Sequence, residues 1–283
     1  MGHETTLAQV VADELSIDLD DVMVIQGDTA VTPYGLGSWG SRTAVIGGGS
    51  CTLASRKLKN KLITLASHLS KIPSQELRVG LNGCILTKDG KKVMTLRDVA
   101  EAAYYLPHLF PRELEPALLE TTGYFDPPLT TTTGFNASAA MVEVDRETGK
   151  VKILRYVSYD DSGRLINPAI VEGQVIGGIA QGIGGVFYED LPYDDEGHLL
   201  ASTFTDYLLP TAMEIPSQEL GRMTSPSPCI PGGFKGAGEG GVVHPVNTIT
   251  SAVANALQTK VVETPLSPLN VWLISNKNKP TLT

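Results

Sequence analysis

A glutamate surrounded by glycines is the feature of this sequence best suited to acid–base chemistry. It lies in the segment Gly236-Ala237-Gly238-Glu239-Gly240-Gly241, just before an apolar stretch with helical periodicity. Glycines leave the carboxylate with little steric cover, so a ligand can approach it closely. The following helix N-terminus could stabilise an anion or the ionised carboxylate. From composition alone, a flexible surface loop is an equal alternative, and the Lys-Ser/Thr of a P-loop is missing.

Two glutamines lie in a second segment, which combines helical periodicity with many glycines. Glycine costs about 1 kcal/mol relative to alanine inside a helix, so its concentration between residues 173 and 185 needs a cause. Either another backbone packs closely there or a cofactor lies against the helix, and composition alone favours packing. Gln174 and Gln181 are seven residues apart, so they share one face and could contact one ligand.

A third segment is rich in glycine and small hydroxyl side chains and leads into a long helical pattern. It spans residues 35–43 and includes Ser38, Trp39, Gly40, Ser41, Arg42 and Thr43. Hydroxyls and free N–H groups at a helix N-terminus suit a phosphate or pyrophosphate. A simple N-cap with a glycine-rich entry is the alternative.

The remaining reactive residues form no pattern that indicates a metal site or a nucleophile. Cys51, Cys84 and Cys229 are far apart and lack zinc or iron–sulfur spacing. The five histidines show no metal-ligand spacing either. Asp160-Asp161 is interpreted as the solvated end of a strand. We therefore expect no metal bound directly by protein side chains.

Composition excludes some classes of function. The chain has 283 residues, 42% of them hydrophobic, and a formal net charge of −9, which argues against a nucleic-acid partner because phosphate binding needs clustered Lys and Arg. No apolar run is long enough to predict a membrane span, and the N-terminus lacks the pattern of a signal peptide. We expect a cytoplasmic protein.

Hydrophobic periodicity and turn residues predict an α+β fold of hairpins and mixed sheets with packed helices. The predicted helices cover residues 5–15, the segment after 43 to about 69, 94–105, 170–187 and 245–257. The predicted strands cover 22–26, a hairpin at 77–86 with a type I′ turn at Asn82-Gly83, a hairpin of 139–144 with 151–159, and pieces around 198–208 and 214–222. Residues 107–128 and 225–241 are predicted to be irregular.

Read in order, the glycine-rich segments resemble one known family. They are similar to the molybdenum subunits of the xanthine dehydrogenase/aldehyde oxidase/carbon monoxide dehydrogenase family. The similarity covers essentially the whole chain, and its motifs are GHETTLAQVVADEL (2–15), GDTAVTPYGLGSWGSRTAVIGGG (27–49), DDSGRLINPAIVEGQVIGGIAQGIGGVFYED (160–190), KGAGEGG (235–241) and SPLNVWLI (267–274).

The resemblance implies roles for particular residues. Glu239 would be the base beside molybdenum, while the metal carries the redox chemistry and is held through its pterin. The cofactor would be molybdopterin, in its cytosine dinucleotide form. The residues implied to bind it are Gly2, Ser38, Trp39, Gly40, Ser41, Arg42, Thr43, Gln174, Gln181, Gly236, Ala237 and Gly238. Two cofactor-binding subdomains are expected, 1–135 and 136–283, the second carrying the glutamate loop.

The resemblance also implies partners. Met1 stands where the family's GQG motif has its glutamine, so we expect the N-terminal half of the molybdenum subunit on another polypeptide, or lost from a truncated gene. Iron–sulfur and FAD groups are expected on partner subunits, since the chain lacks a Cys-rich domain and a GxGxxG fingerprint. The implied function is a hydroxylase subunit, inactive alone, that oxidises an aldehyde, an N-heterocycle or a similar small substrate with oxygen from water.

Three alternatives stay open from the sequence. One is a carbon monoxide dehydrogenase-like enzyme within the same family. Another is a truncated or degenerate module that binds cofactor or assists assembly without catalysis. The third is a simple anion-binding protein that uses the glycine-rich helix starts.

Overall fold

Helices and small β-sheets alternate along the chain, which confirms the predicted α+β class. The computed structural model describes residues 1–128, 134–261 and 263–276. These residues divide into two units. The first unit contains the described residues of 2–132 and 226–235, and the second unit contains those of 133–225 and 236–283.

In the first unit, a long helix packs against two shorter helices and a small sheet. The helices are α1 (His3–Leu15), α2 (Thr43–Ser70) and α3 (Leu96–Tyr105), and the antiparallel sheet consists of β1 (Leu77–Val79), β2 (Cys84–Thr87) and β3 (Lys92–Thr95). Thr95 and Asp98 form a capping box at the start of α3. The buried core consists of Leu62, Leu65, Ala66, Leu77, Ile85, Val99, Ala103 and Phe110.

The second unit is built on a mixed three-stranded sheet. Its elements are β4 (Phe135–Val144), β5 (Val151–Asp161), α4 (Pro168–Phe187), β6 (Gln218–Met223), α5 (Gly240–Val243), α6 (Pro245–Leu257) and α7 (Pro268–Asn276). β5 is central: it pairs antiparallel with β4 and parallel with β6. The core is formed by Tyr156, Val175, Ile179, Ile183, Val186, Ile249, Val253, Leu257, Leu266 and Val271.

Two predicted strands are wrong. Residues 22–26 form no strand, because Met23 and Ile25 are exposed and have no core to cover. Residues 198–208 contain only an isolated bridge between Tyr193 and Leu199, followed by turns. The strand predicted around 214–222 is confirmed, shifted to Gln218–Met223.

The first hairpin is confirmed with a different connection. Asn82 and Gly83 both have positive φ, 54° and 61°, as the predicted type I′ turn requires. They belong, however, to the 3-10 turn Leu81–Gly83, and the Gly80 N–H donates to the Cys84 carbonyl at 2.7 Å. The connection is therefore longer than the predicted two residues.

One described helix, α4, is long and apolar enough to cross a bilayer by length and composition alone. The sequence prediction overlooked it because glycines interrupt its apolar side chains. Its Val175, Ile179, Ile183 and Val186 are buried in the core of the second unit. This is the packing of a core helix, for which the same length and composition are common.

Candidate functional site

Glu239 lies at the end of the glycine-rich loop and is the N-cap of α5. Its backbone angles, φ −109° and ψ 0°, are in the sparsely populated bridge region, and its side chain is exposed. The helix predicted at 245–257 is confirmed as α6, which begins at Pro245, whose ring fits the first position of a helix. The single turn of α5 that precedes it was not predicted.

The backbone of α5 lies directly against the backbone of α4. A Cβ placed on Gly178 would be 2.7 Å from the carbonyl carbon of Gly241 and 2.7 Å from the amide nitrogen of Val242. A Cβ on Gly241 would be 2.4 Å from the carbonyl oxygen of Val175. Only glycine permits this approach, which fixes the turn that begins at Glu239 against a core helix.

Two side chains contact the backbone on either side of Glu239. The Gln174 Nε2 donates to the Gly238 carbonyl at 3.3 Å, and the Asn136 Nδ2 donates to the Gly240 carbonyl at 3.4 Å. Gln174 therefore joins the loop to α4, while Gln181 is exposed two turns further along the same helix. Asn136, on β4, was not identified from the sequence.

The glycines of α4 have two different environments, and close packing, the explanation favoured by composition, applies to some of them. Gly178 and Gly182 are packed: a Cβ on Gly182 would be 2.6 Å from the Pro245 side chain. By contrast, a Cβ on Gly173 or Gly177 would meet nothing within 4 Å. The helix thus has one face in close contact with α5 and α6 and an open strip near Gln174.

A buried polar cluster joins α5 and α6 to the central strand. The Tyr156 hydroxyl and His244 Nδ1 are 2.8 Å apart, and His244 Nε2 is 3.4 Å from the Ser158 hydroxyl. The Ser158 hydroxyl donates to Asp160 at 2.6 Å. The cluster was missed from the sequence, although polar residues at 156, 158 and 160 share one face of β5, and such alternation on a buried strand is a usable signal.

Burial shifts the ionisation of this cluster towards its neutral forms. Removal from water lowers the pKa of His244, and the nearby Asp160 carboxylate partly opposes this shift. Burial likewise raises the pKa of the Tyr156 phenol. Both rings are therefore neutral at pH 7.

The interpretation of Asp160-Asp161 as a solvated strand end is wrong. Asp161 is only 3% exposed, and the Asp160 side chain is 10% exposed. The Asp161 Oδ1 accepts hydrogen bonds from the Gly163 and Ser225 amides, at 2.9 and 3.1 Å. Asp161 thus organises the turn after β5, whereas Asp160 completes the buried cluster.

In the first unit, the segment before α2 is an exposed loop organised by its own polar groups. The Arg42 guanidinium donates to the Gly37 carbonyl at 2.7 and 3.1 Å and lies 4.5 Å from the centre of the Trp39 ring. Ser38 and Thr43 hydroxyls are 2.6 Å apart. Gly40 and Ser41 have positive φ, 59° and 58°, so the chain turns sharply into the helix.

The predicted site residues therefore fall into two groups. Gly2 has a φ of 65° and is the N-cap of α1, in the same unit as Ser38–Thr43. Gln174, Gln181 and the loop from Gly236 to Glu239 belong to the second unit. The structure brings Gln174 together with the Glu239 loop, and it brings Ser38, Trp39, Arg42 and Thr43 together in one exposed loop.

A third cluster consists of Asp194, Glu196 and His198, whose ligand atoms lie within 4.8 Å of one another. The Asp194 carboxylate accepts from the Glu196 amide at 3.1 Å, from the His198 amide at 2.7 Å and from the His198 ring at 2.9 Å. These are the hydrogen bonds of a surface turn.

In the second unit, the exposed Glu239 carboxylate lies on a turn packed against α4, which leaves the positions of Gly173 and Gly177 open to a bound group. Residues 1–216 match the family described as molybdopterin cofactor-binding domain, and the chain belongs to that family. The resemblance inferred from the sequence motifs is thus confirmed.

Individual relatives agree with this assignment. The chain is 39% identical over 255 residues to a carbon monoxide dehydrogenase large chain of Hydrogenophaga pseudoflava, covering 90% of this chain and 31% of the relative. It is 35% identical over 275 residues to the nicotine 6-hydroxylase large subunit of Paenarthrobacter nicotinovorans, covering 95% and 33%. The solved structure of quinoline 2-oxidoreductase from Pseudomonas putida 86 superposes with a TM-score of 0.90 at 34% identity, covering 98% and 35%. The chain therefore spans about one third of the length of these relatives.

Proposed function

We propose that this chain supplies the catalytic base and part of the cofactor site of a molybdenum hydroxylase. The observation that carries the proposal is the position of Glu239, exposed on a turn whose backbone is fixed against α4 and beside the open strip at Gly173 and Gly177. An exposed carboxylate held in this way can take a proton from a bound group without moving the backbone.

Each unit, taken by itself, has residues that suit a phosphate-bearing cofactor. The open strip of α4 offers a surface that a flat group can approach. The N-cap residue of α2, Arg42, makes no side-chain capping hydrogen bond to the first turn of the helix. In the first unit we assign contacts to Gly2, Ser38, Trp39, Gly40, Ser41, Arg42 and Thr43. In the second unit we assign them to Gln174, Gln181, Gly236, Ala237 and Gly238. Backbone amides and hydroxyl side chains at the start of a long helix suit its phosphates.

Each group of residues has a separate task in this proposal. Bound molybdopterin supplies the redox chemistry through its metal. Arg42 shapes the loop that presents Ser38 and Ser41, since its guanidinium is bonded to the Gly37 carbonyl. Gln174 holds the Gly238 carbonyl and so keeps Glu239 directed at the reacting group. Glu239 accepts and returns the proton.

The relatives guide the proposal for substrate and partners. Because the named relatives act on nicotine, quinoline and carbon monoxide, we propose a small substrate such as an N-heterocycle or an aldehyde, oxidised with oxygen from water. We further propose a cytosine dinucleotide cofactor, a cytoplasmic location, and partner subunits that carry iron–sulfur clusters and FAD. Residues 1–135 and 136–283 would form two cofactor-binding subdomains.

The test is Glu239→Gln in the complex purified on this chain from its host, with Glu101→Gln, an exposed glutamate on α3, as the matched control. We expect Glu239→Gln to lower turnover by roughly 10²–10⁴-fold, the typical contribution of a general base. Molybdenum content and co-purifying subunits should match the unsubstituted complex. Near-normal turnover would remove Glu239 from the reaction. A complex without molybdenum would instead favour the non-catalytic assembly module.

A further inference from the structure

His244 lies at the junction between α5, the turn that begins after Glu239, and α6. It follows α5 and precedes α6, and its side chain is 7% exposed. Its carbonyl accepts from the amide and the hydroxyl of Thr248, at 3.0 and 2.8 Å, which continues α6. Any rotation of α5 relative to α6 must therefore move the His244 ring.

The hydrogen bonds of that ring form a directed chain. The neutral ring accepts at one nitrogen and donates from the other. With the Tyr156 hydroxyl donating to Nδ1 at 2.8 Å, the Nε2–H faces the Ser158 oxygen at 3.4 Å. The Ser158 hydroxyl in turn donates to Asp160 at 2.6 Å. Each member thereby keeps a partner in a place where an unpaired polar group would be costly.

This series of hydrogen bonds connects the Glu239 turn to β5, the central strand of the second unit. Tyr156 is fully buried on β5, which pairs with both β4 and β6. α5 is also held by the glycine contact with α4. The turn is thus fixed on one side by backbone packing and at its C-terminal end by the His244 ring.

We propose that the Tyr156–His244 pair is a positioning device for Glu239. It acts by holding α5 at one angle, so that the carboxylate meets the bound substrate–cofactor group in one orientation. The catalytic part of this inference rests on the proposed function of Glu239, whereas the mechanical part does not.

Tyr156→Phe tests the device, because it removes one hydroxyl and keeps the buried ring. Tyr159→Phe is the matched control, an exposed tyrosine on the same strand. We expect Tyr156→Phe in the assembled enzyme to lower kcat about 10- to 100-fold with KM and molybdenum content unchanged, since misplacement by about 1 Å can have such an effect. Hydrogen exchange of the backbone amides of α5 should become faster, while Tyr159→Phe should alter neither.

A second variant separates positioning from simple stability. His244→Asn retains an acceptor near Nδ1 for the Tyr156 hydroxyl, so it should preserve more of kcat and of the exchange protection than His244→Ala. If Tyr156→Phe lowers the unfolding temperature while kcat and α5 exchange stay normal, the pair is only a core contact and the inference is wrong. Faster exchange together with a fully active Glu239→Gln enzyme would uphold the device and refute the proposed function.

Discussion

Gly178→Ala is the substitution that most directly tests the contact between α4 and α5. The added methyl would lie 2.7–2.8 Å from three backbone atoms of Gly241 and Val242, none of which can rotate aside. Overpacking of a core costs about 1–3 kcal/mol, and we expect the upper part of this range because the obstacle is backbone. Alanine regains about 1 kcal/mol of helix propensity. The net loss should be about 1–2 kcal/mol.

Gly177→Ala is the matched control, because it makes the same chemical change one residue away on the same helix. A Cβ on Gly177 meets nothing within 4 Å, so only the gain in helix propensity remains. We expect this variant to be more stable by about 0.5–1 kcal/mol. The difference in unfolding free energy between the two variants therefore measures the cost of the backbone contact at Gly178.

Thermal unfolding of the purified chain measures both effects. For a chain of this size, 1 kcal/mol moves the midpoint by about 2–4 °C, so Gly178→Ala should unfold about 2–8 °C lower. Gly177→Ala should unfold about 1–4 °C higher, by the same conversion. A Gly178→Ala protein as stable as the original, or a less stable Gly177→Ala protein, would refute the assigned packing. If the open face carries the cofactor, Gly177→Ala should also lower cofactor content in the assembled complex.

Two further predictions concern the other parts of the proposal. Replacing Ser41 and Arg42 by alanine should leave α2 folded but remove bound cofactor, and a fully loaded, active double variant would show that this loop does not bind it. Burial lowers the pKa of His244 below its ordinary value of 6.5, so the unfolded chain takes up the proton first as pH falls. The stability contributed by neutral His244 should therefore be complete above about pH 6.5 and decline below it. His244→Asn should flatten that decline in urea unfolding, and an unchanged slope would contradict the assignment.

The helices and the chemical character of the Glu239 loop were predictable from local sequence. Apolar spacing located α1, α2, α4 and α6 because each buries one stripe of side chains. A carboxylate between glycines indicated an accessible acid because glycines add no cover. The cofactor roles of Ser41 and its neighbours came from family resemblance, and they remain proposals.

Other features depended on partners distant in sequence. Nothing local distinguishes Gly177 from Gly178, yet one faces open space and the other a backbone, because the difference is set by Gly241. Likewise, the buried Asp160 lies near His244, which is 84 residues further along the sequence. Residues 22–25 form a short apolar run typical of a strand, but they pair with no strand in the part of the chain that the structure describes.

The glycine content of α4 also has a consequence for how the second unit folds. The helix contains six glycines among its 20 residues. At roughly 1 kcal/mol each relative to alanine, they lower its intrinsic helicity by about 6 kcal/mol. With this loss of intrinsic helicity, α4 depends on tertiary packing of its buried face for its stability. We expect the β4–β5 hairpin, which is local and precedes it, to form earlier. During synthesis, α4 would stay unfolded on the ribosome until Pro245 and α6 have emerged to complete its packed face.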